Sequence, residues 1–344
     1  MTIAPESTLM FAEAAKASVV VARQRTANTG AVAALAARLR TSPPRGVLTC
    51  ARGSSDHAAT FAKYLIETVV GVPVGSIAPS VSSVYGAASQ LDDTLLIAIS
   101  QSGRSPDLIS AVEAARAGGA IIAAMVNDAE SPLAELADVP LPLHAGAERS
   151  VAATKSYIAS LAAVLDLVAA WSESESLAGA FDAAPAALAL AWDADWTPLV
   201  EGLAESRGLY VIGRGIGLGI AQEAALKFKE TCGLHAEAFS AAEVRHGPMA
   251  LIGPDFPLLV FRQDDETGPG TDALAAEAIA RGGKVYLAGG NIAGAVILPT
   301  VPGPAAIEPM LQIQSFYRAV NTLSVVRGHD PDRPPHLRKV TETV

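Results

Sequence analysis

The chain has 344 residues, half of them apolar and only 17% charged, which points to a globular protein with a large core and about two domains of ~150 residues each. A net charge of −10 gives no general reason to bind nucleic acid or an anionic membrane, although a phosphate pocket can still be built locally from backbone amides and hydroxyls. Cys50 and Cys232 form no disulfide framework, "MTIAPESTLMF" lacks a secretory pattern, and apolar stretches such as "SLAAVLDLVAAW" are too short to span a membrane, so a cytoplasmic protein is expected.

In chain order, short helices are predicted near 10–24 and 30–40. Short apolar strands follow near 47–51, 73–77, 94–99, 120–126 and 139–143, with helices between them and a longer helix at about 152–171. Residues 172–195 read as a helical link. The pattern then starts again. "RGVLTCARGSSDHAATFAKYL" (45–65) aligns without a gap with "RGLYVIGRGIGLGIAQEAALK" (207–227), at an offset of 162, and the same offset pairs "DTLLIAISQ" (93–101) with "DFPLLVFRQ" (255–263). Strands alternating with helices imply parallel sheets covered on both faces. The expected fold is α/β: two tandem doubly wound domains, each a parallel sheet flanked by helices and Rossmann-like. The expected boundaries are 1–44 for the N-terminal helices, 45–172 and 203–330 for the two domains, 173–202 for the linker and 331–344 for the tail.

In such sheets, ligands bind beyond the carboxyl ends of the strands. "ISQSGRSPD" (99–107) sits at one such end. Ser105 is placed as a helix N-cap, with Pro106 in the first helical position and Asp107 in the first turn. Gly103 allows a close backbone approach. Ser100, Gln101, Ser102 and Ser105 then converge with helix amides on a site suited to phosphate. For "SQSG" taken alone, an ordinary capped turn with solvated serines is the plainer reading. Two observations favour a ligand: the mate loop "FRQDDETG" lacks the serines, and a second loop, "ARGSSDH" (51–57), adds Gly53, Ser54 and Ser55 to the same rim. The dinucleotide pattern G-x-G-x-x-G is incomplete in "GRGIGLG" (213–219), where Leu218 stands in the third glycine's place, and "SIAPS" offers no acidic residue to a ribose.

Glu223, Lys227 and Glu230 share one face of a helix at spacings i, i+4 and i+7. The spacing fits a shielded carboxylate that moves protons and fits an exposed salt-bridge ladder equally well. His246 precedes Gly247-Pro248 and is expected on a turn, where an imidazole can titrate near neutrality. His235 is expected to be structural, bonded within the core. His57 suits a helix-start contact or a substrate contact. No metal-ligand spacing is present, and no cofactor is expected.

The paired sheets, "SQSG" and "EAALKFKETCGLHAEAFSAAEVRHGPMALI" (223–252) together resemble the double-SIS (sugar isomerase) proteins. Within that family the chain is similar to the aminosugar-phosphate deaminases and to the isomerase half of the glutamine:fructose-6-phosphate amidotransferases. The resemblance implies that Ser55, Ser100, Gln101, Ser102 and Ser105 hold a sugar phosphate. It makes Glu230 the base between carbons 1 and 2, with Lys227 beside it, and has His246 open the sugar ring. Lys339 becomes a Schiff-base lysine, and Val151 and Ala152, in "SVAATK" (150–155), contact the sugar. A homodimer sharing its sites through His246 is also implied. Arg104, Ala153 and Arg338 depart from the family pattern near the sugar, which leaves the epimer open.

The chain begins Met1-Thr2 without an ammonia-releasing domain, and "RGSSDHA" is similar to the deaminases. The expected activity is therefore conversion of glucosamine 6-phosphate to fructose 6-phosphate and ammonia. A fructosamine-6-phosphate deglycase, a galactosamine-6-phosphate deaminase and an ammonia-using synthase subunit are alternatives of the same fold. A phosphosugar sensor is the alternative from another class, although no recognition-helix pattern precedes the first strand.

Overall fold

A computed structural model describes residues 3–339. It contains two five-stranded sheets, every strand pair in them parallel. The first is built from β1 (Gly46–Cys50), β2 (Val74–Ser76), β3 (Thr94–Ser100), β4 (Ile121–Val126) and β5 (Val139–Pro142), in the order β2-β1-β3-β4-β5. The second is built from β6 (Gly208–Gly213), β7 (His235–Ser240), β8 (Leu258–Phe261), β9 (Val285–Ala288) and β10 (Val296–Leu298), in the order β7-β6-β8-β9-β10. Both orders are 2-1-3-4-5 when counted within each half, so the sequence repeat is a repeat of topology. The observed strands agree with the predicted ones to within a residue or two.

The central strands are apolar along their length because both faces are covered. Leu95, Leu96, Ile97, Ala98 and Ile99 of β3 are fully buried, as are Leu258, Leu259, Val260 and Phe261 of β8. Over the first sheet, Leu96 and Ile122 pack with Leu108 and Val112 of the helix Pro106–Ala117. Beside the second, Tyr210 meets Phe239 and Phe256 edge-on, with centroids 5.1 and 4.6 Å away.

The chain divides into two compact units. One carries the first sheet and comprises Val19–Glu148 and Ser156–Asp182, together with the tail from Arg338. The other carries the second sheet and comprises the N-terminal stretch through Ser18, Arg149–Lys155 and Ala183–Leu337.

The N-terminal region differs from expectation. A short helix, Leu9–Ala14, is followed by one continuous helix, Ala17–Thr41, in place of a break near Gly30. Tertiary bonds hold the weak stretch "TANTG" in helical form: Gln24 Nε2 donates to the Ala159 carbonyl (3.0 Å) and Asn28 Nδ2 to the Pro142 carbonyl (2.8 Å). The predicted linker helix is found as Glu175–Trp192. No helix among the described residues is long and apolar enough to cross a membrane.

Candidate functional site

The order 2-1-3-4-5 has its topological switch point between the first and third strands, and an open α/β sheet binds ligands there. In the first sheet these are β1 and β3. Leaving their carboxyl ends are the two hydroxyl-bearing stretches, 51–57 and 101–105.

Each loop has a defined internal structure. Ser100, the last residue of β3, is almost buried, and its Oγ accepts the Gly103 amide at 3.0 Å. Gly103 takes φ +64°, and a Cβ there would lie 2.2 Å from Ser131 Oγ and 2.8 Å from Val126 Cγ2. The close approach read from the sequence is thus made to the protein's own side chains. Ser102 Oγ accepts the Arg104 amide at 3.3 Å, and the Arg104 guanidinium lies 2.8 Å from Asp128. Ser105 occupies the N-cap position, but its side chain makes no capping bond. A neighbour does that work instead, since Asp107 Oδ1 accepts the Leu108 amide at 2.8 Å. The other oxygen, Oδ2, takes Nε and Nη2 of Arg52 at 2.9 and 2.7 Å. Arg52 belongs to the first loop and Asp107 follows the second, so a nearly buried carboxylate ties the two together. Gly53 turns the first loop at φ 55°, and Ser54 and Ser55 then open the helix Ser54–Val69, half-buried, with His57 in its first turn.

The mate crevice between β6 and β8 is different. Gln263, the repeat counterpart of Gln101, is 1% exposed, and its Nε2 donates to Gln312 Oε1 at 2.7 Å. A Cβ on Gly217 would lie 1.9 Å from Gln263 Oε1. A protein side chain therefore fills the place where the incomplete glycine pattern would bring a pyrophosphate.

The helix Leu218–Cys232 carries Glu223, Lys227 and Glu230. The exposed ladder is ruled out: the side chains of Glu223 and Lys227 are fully buried, and only Glu230, 20% exposed, reaches solvent. Lys227 Nζ lies 3.3 Å from Glu223 Oε1 and 2.6 Å from Glu230 Oε2, while the Tyr317 hydroxyl donates to Glu223 Oε1 at 2.9 Å. Burial alone would lower the Lys227 pKa. The two carboxylates outweigh it and hold the ammonium charged, above its ordinary value. Lys227 is therefore a fixed cation that orients Glu230, and Glu230 is the member able to meet a substrate.

His246 ends a 3-10 turn, Glu243–His246, before Gly247 at φ 143°, and is exposed as a turn residue should be. His235 corrects the expectation. It is exposed at the start of β7, an edge strand, where alternate residues face outward and no core is available to bond it.

Val151 is half-buried and Ala152 fully buried, on the stretch Arg149–Lys155. Glu13, unmarked in the sequence, holds that backbone by accepting the amides of Arg149 (2.6 Å) and Ser150 (3.2 Å). In the first-sheet unit, Lys339 Nζ lies 3.5 Å from Glu148 Oε2, and the fully buried Glu148 carboxylate also accepts the Ser156 amide (3.2 Å) and hydroxyl. The tail is described as far as Lys339, and Val340–Val344 lie outside the described residues. Asp107 was legible only as a first-turn residue; its pairing with Arg52, and the contacts of Glu13, Tyr317 and of Glu148 with Lys339, gave no signal in sequence because each joins residues remote along the chain. Cys50 and Cys232 are buried free thiols, both pushed up to about 12 by burial, so neither is a nucleophile at neutral pH.

Comparison with known proteins places the chain in a family. The SIS domain model matches residues 42–170 and 202–288. The chain is 34% identical over 313 residues to the glutamine–fructose-6-phosphate aminotransferase (isomerizing) of Zymomonas mobilis, covering 85% of this chain and 51% of that protein. It therefore spans about half of that relative's length. A solved structure from Silicibacter pomeroyi DSS-3, provisionally assigned as a phosphosugar isomerase, is 42% identical with a TM-score of 0.89, covering 94% of this chain and all of that one. The glucosamine-6-phosphate deaminase of Thermotoga maritima shares the fold at a TM-score of 0.78 and 20% identity, over 98% of this chain and 100% of that one. With two matched segments carried on two sheets of the same topology, the chain belongs to the SIS domain family.

Proposed function

We propose that this protein is a phosphosugar isomerase that converts glucosamine 6-phosphate and water to fructose 6-phosphate and ammonia. The observation that carries the reading is the buried Glu223–Lys227–Glu230 cluster, in which a fixed cation holds one carboxylate at the edge of solvent. Aldose–ketose interconversion needs such a group: a single base that removes a proton from one carbon and returns it to the next.

In this reading the loops bearing Gly53, Ser54, Ser55, Ser100, Gln101, Ser102 and Ser105 take the phosphate, and Val151 and Ala152 contact the sugar. His246 moves the ring proton, freeing the carbon 1 aldehyde; its exposure suits supply from a second copy of the chain. Glu230 takes the carbon 2 proton to give an enolamine and returns it at carbon 1, leaving an imine at carbon 2. The Lys339 amine displaces ammonia at that carbon, and water then releases the ketose and restores the lysine.

A second reading has a specific observation behind it. The 34% identity to an aminotransferase favours the reverse sense, with fructose 6-phosphate accepting nitrogen. Ammonia release from a panel of hexosamine 6-phosphates and fructosamine 6-phosphate adducts, and hexosamine formation from fructose 6-phosphate and ammonium, decide between the two and fix the epimer. Incubating fructose 6-phosphate in deuterated water tests both, since either sense exchanges a carbon 1 hydrogen. No product and no exchange would leave a phosphosugar sensor as the better account.

A further inference from the structure

The C-terminal tail leaves the helix Glu308–Val326 at Arg327, whose guanidinium donates to the carbonyls of Leu203, Ala204, Ser206 and Cys232. Asp330 then shapes a turn: its side chain accepts the Asp332 amide at 3.0 Å and its carbonyl the Arg333 amide at 3.1 Å. The turn sets the Asp332 carboxylate against the other end of the chain. Oδ2 accepts the Leu9 amide at 2.6 Å, and Oδ1 accepts the Met10 amide at 2.8 Å. The same N-terminal stretch is bonded to the helix Glu308–Val326. Thr8 Oγ1 lies 2.7 Å from Asn321 Oδ1, Asn321 Nδ2 donates to the Pro5 carbonyl (2.9 Å), and Gln314 Nε2 donates to the Ala14 carbonyl (3.0 Å).

The amides of Leu9 and Met10 open a helix and have no acceptor within it, so a carboxylate bridging both makes two charge-assisted bonds. They fall in an otherwise irregular tail, seven residues before Lys339. A lysine must be brought to a ketose carbon in a fixed orientation for its amine to attack, and restraining the chain beforehand removes that ordering cost from the reaction.

We propose that Asp332 is a positioning residue: by binding the Leu9 and Met10 amides it fixes the tail that presents Lys339. This rests on the reading of Lys339 as the Schiff-base lysine. Attack by that amine on carbon 2 of fructose 6-phosphate expels the carbonyl oxygen as water, and borohydride supplies the hydride that reduces the resulting C=N bond to a stable secondary amine.

The full chain carrying Asp332→Ala, Asp332→Asn or Asp332→Glu is compared with the unaltered protein by hydrogen exchange, by the thermal midpoint and by the rate of borohydride trapping at Lys339 with saturating fructose 6-phosphate. Asp332→Ala is expected to speed exchange at Leu9, Met10 and the tail amides at least about tenfold, since it removes both charge-assisted bonds and the net contribution of one alone corresponds to roughly that factor. Trapping should slow to a similar degree with the midpoint nearly unchanged; Asp332→Glu should restore part of it, and Asp332→Asn less. Unaltered exchange overturns the anchor. Faster exchange with trapping at the original rate overturns the positioning role. If the unaltered protein does not trap at all, the role of Lys339 fails, and the positioning role with it, while exchange still decides the anchor. Should Asp332→Ala fail to fold, Asp332→Asn, which keeps the shape and one oxygen, gives the same reading.

Discussion

Arg52 and Asp107 join the two hydroxyl-bearing loops at the switch point of the first sheet: both bonds reach one oxygen of a carboxylate that is 2% exposed. Neither residue is a phosphate ligand in the proposed reaction, yet each fixes a loop that carries several. Arg52→Ala should cost about 2 kcal/mol of stability, because a buried carboxylate loses its cation. It should also raise KM for the phosphosugar about tenfold while changing kcat much less, as expected when ground-state and transition-state binding weaken together. Denaturant titration and steady-state kinetics check both. A kcat loss with unchanged KM would remove the loops from substrate binding.

Glu230→Gln keeps the shape of the side chain and removes the base. Turnover should fall by about 10³-fold or more, the range of a positioned general base, with phosphosugar affinity changed by less than about threefold. Calorimetric titration beside the activity assay tests this. Loss of binding would make Glu230 structural.

Lys227→Met leaves Glu223 buried without its cation and should destabilise by about 3–5 kcal/mol. Glu223→Gln with Lys227→Met should recover part of that loss, because no buried charge is then left unpaired. The folded-state pKa of Lys227 is raised above its ordinary value of 10.5, so its contribution is fully present below that value and fades as pH rises through the folded pKa. Denaturation of the unaltered protein and of the Lys227→Met variant from pH 6 to pH 11 should show a constant difference through neutral and mildly alkaline conditions, shrinking only above about pH 10.5. A difference that fell near pH 7 would contradict the assignment.

Subunit mixing tests the supply of His246 from a second copy. Glu230→Gln and His246→Ala chains, each inactive alone, should regain about a quarter of full activity when refolded together in equal amounts: half the dimers are mixed, and each mixed dimer has one intact site of two. Mass spectrometry of the mixture confirms that mixed dimers form. Their formation without recovery of activity would place each site within one chain.

Cys50 and Cys232, both pushed up to about 12, should react with a thiol reagent at pH 8 only after denaturant is added. Rapid labelling of the native protein would show that one of these strands or helices opens readily.

The sequence by itself determined the two parallel sheets, their repetition at an offset of 162 residues, and the placing of the serine loops at strand ends. Those features are written in local signals: runs of apolar residues, turn glycines and a serine-rich loop whose mate has no serine. Tertiary structure decided what depends on packing from afar. Whether Glu223, Lys227 and Glu230 formed a surface ladder or a buried cluster rested on Tyr317, 94 residues from Glu223, and spacing along a helix is the same in both cases. His235 lies exposed because strand order puts β7 at an edge, and the helix Ala17–Thr41 passes Gly30 unbroken because Gln24 and Asn28 bond to distant carbonyls. Periodicity and turn chemistry are properties of a short stretch of chain, whereas burial and partner choice belong to whatever folds against it.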